Sequence, residues 1–492
     1  MILEPLRFAH RREGEETLVA RGRFEPGAPD WVYLPVELPD GVVELAVRCS
    51  HDLPDGRPDS QPGNQLDLGI FDQRGIEPGD AAGFRGWSGG SRDAFTISGS
   101  GATPGYLPGP LHPGTWHVVL GPYTVASKGM SWTVAVTLRF GQPGPPFAAS
   151  PAPQRASGRG PAWYRGDMHL HTVHSDGRRT PAELVSGARA AELDFVVSTE
   201  HNTSSASLIW GRHARPDLLI VDGEEVTTRD GHLLALGLQA ERWVDWRYRA
   251  VDGVVGRVIG GIHRAGGIAV AAHPFCPFAG CAWGFGYDEV DAIEVWNGPW
   301  TPDDERTLLL WEELLAGQHH PGGRWIPAVG NSDAHGEAQA IGLPHNVVLA
   351  SDLERRAILR GVRAGRLWIA ESAAVDLSMA ARTDGRTAGI GERLPVAADE
   401  PVLVRLEVRG APGHLVRLYT DHGQVLERRL AEEGSDVVTW TTTPRDSAHV
   451  RAEVRRQAPA PATFDTMVAL TNPVFLGHPR RRRGRLSGRP PA

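Results

Sequence analysis

Lysine is all but missing from this chain. Only Lys128 is a lysine among 51 basic residues, a bias that reads as base composition rather than function. Cysteine is scarce as well: Cys49, Cys276 and Cys281 are too few for a disulfide scaffold, and a reducing cytoplasm is the default expectation. No apolar run approaches the roughly 18 residues that a membrane helix needs. The first seven residues, Met-Ile-Leu-Glu-Pro-Leu-Arg, lack a basic start followed by an apolar stretch, so no secretory leader is expected. There is no phosphate-cradling glycine loop followed by lysine. Nucleotide-loop chemistry therefore has no foothold.

The 492 residues suggest about three domains. Hydrophobic residues at 41% and charged residues at 22% are ordinary for a globular protein and exclude global disorder. With 59 Gly and 39 Pro, turns and short strands are favoured over a helical bundle. The net charge of −8 argues against a dedicated nucleic-acid binder. The one dense basic stretch is Arg480 to Arg483 with Arg485 and Arg489, read as a solvated, disordered tail over residues 479–492.

Residues 1–140 carry short alternating or β-branched runs between Gly, Pro and Asp clusters, which predicts a β-sandwich. Residues 141–161 are rich in Pro and Gly and read as a stiff, exposed linker. From residue 162 to 375 apolar strands alternate with helices. Thr180-Pro181-Ala182-Glu183 predicts a capping box opening one helix, and Ser351-Asp352-Leu353-Glu354 a second cap. Seven or so buried strands over this span predict an α/β barrel, complete or distorted. Residues 376–478 return to β patterning, consistent with a second small sandwich.

Polar residues collect in the middle span, where twelve of the 20 His lie between His169 and His345. Strand after strand ends in a ligand-capable group: His169-Leu-His171, Glu200-His201, Glu224-Glu225, His273-Pro274 and Asp333-Ala-His335. In an α/β barrel the carboxyl ends of the strands converge on one face. His-x-His puts two imidazoles on the same side of a strand, a geometry that suits one ion. A carboxylate can bridge two ions where an imidazole cannot.

These motifs resemble those of the polymerase and histidinol phosphatase (PHP) family of metal-dependent hydrolases. They are His169-Leu-His171-Thr172 with Ser175-Asp176-Gly177, Ser198-Thr-Glu200-His201-Asn202, Gly223-Glu-Glu225, Ala272-His273-Pro274 and Asn331-Ser-Asp333-Ala-His335. The resemblance spans roughly residues 163–375 and implies a distorted seven-stranded α/β barrel flanked by the two β-rich domains. It implies two or three divalent metal ions, zinc first, with manganese or iron as alternatives. The implied ligands are His169, His171, Asp176, His201, Glu225, His232, His273, Asp333 and His335, with Glu225, Asp333 and His273 nearest the chemistry. Glu225 matches the bridging carboxylate, and adjacent Glu224 is the competing register. Glu200 stands where the family usually has Asp, which bears on the groups that support the ligands. The flanking β-domains and the Glu225-Val-Thr-Thr and Ile293-Glu294-Val-Trp-Asn297 segments resemble the branch containing aryl-carbamate hydrolases.

The implied activity is hydrolysis of a phosphoester, with a carbamate, ester or amide as the alternative and a non-catalytic metal-containing binding protein as a further one. The expected partner is a small-molecule substrate, with no dedicated nucleic-acid partner and no membrane; the oligomeric state stays open. Among individual residues, His174 reads as a solvent-facing loop histidine, Cys276 and Cys281 as remote candidates for thiolate ligation, and Glu294 and Asn297 as substrate or outer contacts or turn caps. Trp296 and Trp300 read as candidate pocket walls, and Trp311 as core.

Overall fold

In the first 140 residues the period-two pattern becomes a packed interface. Along Val42–His51 the residues Leu45, Val47 and Cys49 turn inward while Arg48 and Ser50 face solvent. Along Met130–Phe140 Trp132, Val134, Val136 and Leu138 do the same. A computed structural model describes residues 1–52, 63–79, 82–317, 325–432, 434–458 and 464–478. Its first part is two sheets face to face. One has the order Gly14–Phe24, Met130–Phe140, Val42–His51, Ala94–Ser98; the other runs Leu6–Arg7, Val32–Leu38, Gly114–Thr124, Gln65–Phe71, Phe84–Gly89. Their inner side chains form one hydrophobic cluster.

The Pro-rich stretch after this sandwich is an extended strap with backbone partners on several sides. Phe147 N–H donates to Gly99, Ser150 to Leu208, Ala156 to Leu353 and Ser157 to Pro216. Fixed proline φ values keep it extended while these bonds hold it to the surface.

The central strands form a long mixed sheet ordered Ala328–Asn331, Ala292–Asn297, Ile268–Ala271, Gly231–Leu236, Leu219–Thr228, Phe195–Ser198, Ala162–Asp167, His345–Ala350, Leu367–Ala370. This corrects the expected seven-stranded barrel: no strand ladder closes the sheet among the described residues, which are mostly β with four α-helices. Two features explain the departure. A hairpin pairs Leu219–Thr228 antiparallel with Gly231–Leu236, where a barrel would have a helical crossover. Gly231, with φ of 122°, makes the turn possible, and a Cβ there would come within 2.7 Å of the Trp283 backbone. The two flanks approach through one isolated Leu170–Ala334 bridge, through Ser332, whose N–H and Oγ donate to Asp167, and through side-chain amides. Asn331 Oδ1 accepts from Met168 N–H (3.0 Å), and Asn346 donates to Gly330 O (2.7 Å) and accepts from Gly330 N–H (3.1 Å).

Helix Pro181–Ala190 starts with the expected capping box at Thr180 and Glu183. The second cap differs. Helix Arg355–Arg363 has Glu354 at its N-cap with no side-chain cap bond. Beyond Leu367–Ala370 the sheet continues into Thr466–Thr471, His449–Arg456, Leu415–Thr420 and Gly423–Arg429. A four-stranded sheet of Arg386–Gly389, Asp376–Thr383, Val402–Arg409 and Ser435–Thr442 contributes to the same cluster as strands of that extension. The basic stretch at 479–492 lies outside the described residues.

Candidate metal centre

Chain direction alone brings the polar residues together. The strand Ala162–Asp167 runs out into buried His169 and His171, and Phe195–Ser198 into Glu200 and His201. Glu225 and His232 face each other across the hairpin. His273 follows Ile268–Ala271, and Asp333 and His335 follow Ala328–Asn331. His273 and Asp333 take positive φ (25° and 49°), as does Asn202 (52°). Each costs of order 1–3 kcal/mol, strain that is usual where a strand end must aim a functional side chain.

All nine residues named from the sequence fall into ligand-sized groups. Glu225 lies at the centre and splits its two oxygens between neighbours. Oε2 lies 3.1 Å from His169 Nε2 and 3.2 Å from His171 Nε2. Oε1 lies 2.8 Å from His232 Nδ1 and 3.1 Å from His273 Nε2. Asp333 Oδ1 stands opposite, 3.2 Å from His169 Nε2 and 3.0 Å from His171 Nε2. A third group sits nearer solvent, with Asp176 Oδ1 3.6 Å from His201 Nε2 and 3.4 Å from His335 Nε2. Glu224 is in none of these groups: it turns away and accepts the Val244 N–H at 2.9 Å.

Whether ions fit is answered by four atoms. His169 Nε2, His171 Nε2, Glu225 Oε2 and Asp333 Oδ1 are all buried without a hydrogen bond, and each of the two nitrogens lies 3.0–3.2 Å from both oxygens. Ligands of a tetrahedral ion with bonds near 2.0–2.1 Å stand roughly 3.4 Å apart. Buried polar atoms without partners are costly, and a divalent cation satisfies all four at once. The donor set fits zinc-like ions.

Burial and neighbouring charge work against each other here. Burial would raise Glu225, yet His201, His169 and His232 hold its carboxyl far below the usual range. Burial likewise opposes charge on His169, but Asp333, Glu225 and Glu294 pull it well above an ordinary imidazole. His201 goes the other way, pushed down to about 4 chiefly by burial. Six imidazoles cannot all be cationic in one buried site, whereas metal ions let them remain neutral.

A supporting layer orients these groups. Glu294 Oε1 takes His169 Nδ1 at 3.0 Å, leaving Nε2 to face the centre. Its other oxygen accepts the His273 N–H, and Asn297 bridges Glu294 and Asp333. Glu200 accepts from Thr172 Oγ1 (2.5 Å) and Ser175 Oγ (2.6 Å), clamping the turn behind His171. The longer carboxylate thus reaches the loop it has to hold.

Several single-residue expectations change. His174 is buried, with Nδ1 2.8 Å from Ser205 Oγ, and burial pushes it down, so it is not a solvent-facing loop histidine. Cys276 and Cys281 form a disulfide, which removes both as thiolate ligands. Trp311 is fully buried and bonded to Ile326 O. Trp296 and Trp300 are buried in the core and do not line the cavity over the site. That cavity, about 600 Å³, is walled instead by Trp31, Trp87, Tyr123 and Trp246 beside Asp176, His201 and His232. No local signal marked the first three, because they come from the N-terminal sandwich.

No family model matches the chain, and no curated protein matches it. Three solved structures are similar to parts of it. A two-domain protein containing a predicted PHP-like metal-dependent phosphoesterase from Bacteroides vulgatus ATCC 8482 is 16% identical, over 66% of this chain and 99% of that one, with a TM-score of 0.34. A proposed metal-dependent phosphoesterase from Bifidobacterium adolescentis ATCC 15703 is 20% identical, over 39% of this chain and 91% of that one (TM-score 0.27). An amidohydrolase from Chromobacterium violaceum, with bound sulfate and no metal, is 19% identical over 36% and 89% (TM-score 0.26). These likenesses are too distant to assign a family; the donor geometry itself carries the chemistry.

Proposed function

We propose that the protein is a metal-dependent hydrolase. The observation that carries this is the convergence of four unpartnered buried donor atoms around Glu225, whose second oxygen faces a separate pair of imidazoles. His169, His171, Glu225 and Asp333 would hold one ion and His171, Asp176, His201 and His335 another; Glu225 Oε1 with His232 and His273 would hold a further one. Ions bound there would lower the pKa of water towards 7 and polarise the scissile bond. Asp333 Oδ2, steadied by Asn297 Nδ2 at 3.3 Å, is placed to receive a proton from an attacking water. Glu294 fixes the His169 ring through Nδ1, and Glu200 fixes the His171 turn. Nine candidate ligands exceed the four of a structural ion, which disfavours the non-catalytic binding reading.

The substrate readings are a phosphoester, in line with the PHP resemblance, and a neutral carbamate or ester, in line with the aryl-carbamate branch. One observation favours the second. Among the lining residues the cavity has a single guanidinium, Arg229, and it is committed to Asp67 at 3.4 Å and to the Tyr123 ring. A phosphate monoester would be better served by unpaired arginines. The test is one preparation, reconstituted with Zn or Mn, assayed on aryl phosphate, phosphodiester, ester and carbamate, with elemental analysis alongside. Two to three ions per chain with turnover on at least one substrate is the expected result. Less than one ion per chain, or no turnover on any of the four, overturns it.

A further inference from the structure

A second cavity of about 550 Å³ shares no lining residue with the one that the Cys276–Cys281 loop roofs. It is a groove between helix Val255–Arg264 and the segment 238–248. Glu224, which turns away from the metal groups, accepts the N–H of Val244, a lining residue, so the groove backs the strand that carries Glu225. Two stripes of the helix face it. Val258 and Ile262 make an apolar stripe, and Arg257, Gly261 and Arg264 make another beside it, each at helical spacing. Glycine at 261 is not required by its neighbours: a Cβ there would meet only the end of Arg264, 3.8 Å away. Glycine inside a helix is destabilising relative to alanine, and here it leaves its volume to the groove. On the facing wall Tyr248 is buried, and its hydroxyl has no hydrogen-bond partner. An unmet donor of that kind is satisfied by a bound oxygen.

Charge sets this cavity apart from the one over the metal groups. Its lining has four guanidinium groups against two carboxylates. Asp245 is held by Arg247, with Oδ1 2.9 Å from Nε and Oδ2 2.9 Å from Nη2, and Asp252 accepts the Arg249 N–H at 2.7 Å. Arg242, Arg257 and Arg264 are exposed and have no ion pair or side-chain hydrogen bond among the described residues. An apolar stripe running beside unpaired guanidinium groups is complementary to a molecule that is apolar along its length and anionic at one end. The lined stretch from Val254 to Ala265 extends about 16 Å at 1.5 Å per residue, long enough for a medium-length alkyl chain.

We infer that this groove is a binding site for an aliphatic carboxylate, with the chain along Val258 and Ile262 and the carboxylate on Arg257 and Arg264. The guanidinium fork matches the two oxygens of a carboxylate, and burial of the chain against the helix supplies the apolar share of the affinity. The site is independent of the metal chemistry and does not rest on the hydrolase reading.

The test is calorimetric titration of full-length, metal-loaded protein with sodium octanoate, with 1-octanol and acetate as controls for chain and head alone. Octanoate is expected to bind one per chain, at least tenfold tighter than either control. The double variant Arg257→Gln with Arg264→Gln is expected to weaken octanoate at least tenfold and to leave octanol within twofold. Gly261→Leu fills the groove without touching a charge; it is expected to weaken octanoate at least tenfold with a Tm no lower than wild type. Metal content is expected to stay unchanged in both. Both arginines are exposed, so the double variant decides the matter should Gly261→Leu pack badly. Octanoate that binds no tighter than octanol or acetate overturns the inference. So does octanoate affinity within twofold of wild type in the double variant, which would place the binding elsewhere, the metal ions included.

Discussion

Glu225 offers its two oxygens to different sets of imidazoles, and Glu224, one residue earlier, points to the opposite face of the same strand. That alternation is a period-two consequence of the backbone, and it makes the register testable. Glu225→Gln is expected to lose about one ion and on the order of 100-fold in turnover. Glu224→Gln should keep both, because burial already pushes that carboxyl well above its usual range and the amide matches its neutral form. Metal content and turnover at one pH check the pair. Asp222 gives a pH prediction. Burial pushes its carboxyl up to about 7 despite nearby Arg355, and Oδ1 has no partner. A raised carboxyl stabilises the fold only while protonated, so that contribution is lost as pH climbs from about 4 towards 7. Asp222→Asn should remove this slope, gaining roughly 1–3 kcal/mol relative to wild type at pH 8 and little at pH 4, read by urea unfolding. The strand-end ligands were legible in the sequence because each sits directly after an apolar run. The task of Glu294 was not, since only the fold shows that it meets His169 through Nδ1.

The hairpin Leu219–Thr228/Gly231–Leu236 explains why the barrel expectation goes too far. A strand buried on both faces reads as a continuous apolar run in either direction, so residues 231–236 resemble one more parallel strand. The capping box at Thr180 was legible because it is local. The strap at 141–161 reads as a stiff, exposed linker because its backbone bonds go to distant partners. The roof loop holds the Cys276–Cys281 disulfide beside His273, with Cys281 Sγ 3.4 Å from His273 Nδ1. Closing so short a loop restrains the unfolded chain by about 2 kcal/mol. Cys276→Ser should therefore lower Tm by a few degrees, keep the ions, and raise KM for bulky substrates more than it lowers kcat. Differential scanning calorimetry and elemental analysis separate these effects. Loss of metal in this variant would show that the disulfide positions His273 rather than the roof.

At the scale of the whole chain the composition shifts suggest three regions, β-rich, α/β and β-rich, but they carry no mark of the contacts between distant segments. Arg451, Glu453 and Arg455 form a buried network that also reaches Glu312 and Glu305 of helix Pro302–Gly317, tying the C-terminal strands to the centre. Glu453 lies 2.6 Å from Arg451 and 2.7 Å from Arg455, and all three side chains are almost fully buried. Glu453→Gln removes the buried bridge between two guanidinium groups that each keep one helix carboxylate, and should cost about 1–3 kcal/mol, measured by urea unfolding. The links to Glu312 and Glu305 are invisible in sequence, because those partners lie 139 and 150 residues from their arginines.

The unbroken ladder from the centre into the last strands also has a consequence during synthesis. Leu367–Ala370 is paired on one side by His345–Ala350, made just before it, and on the other by Thr466–Thr471, made roughly 100 residues later. At 5–20 residues per second a ribosome leaves that edge open for on the order of 5–20 s. During that interval a short apolar strand, Leu-Trp-Ile-Ala, presents unpaired backbone groups to any neighbouring nascent chain. Yield in cells should therefore depend on translation speed across residues 371–466 and on chaperones that shield β edges.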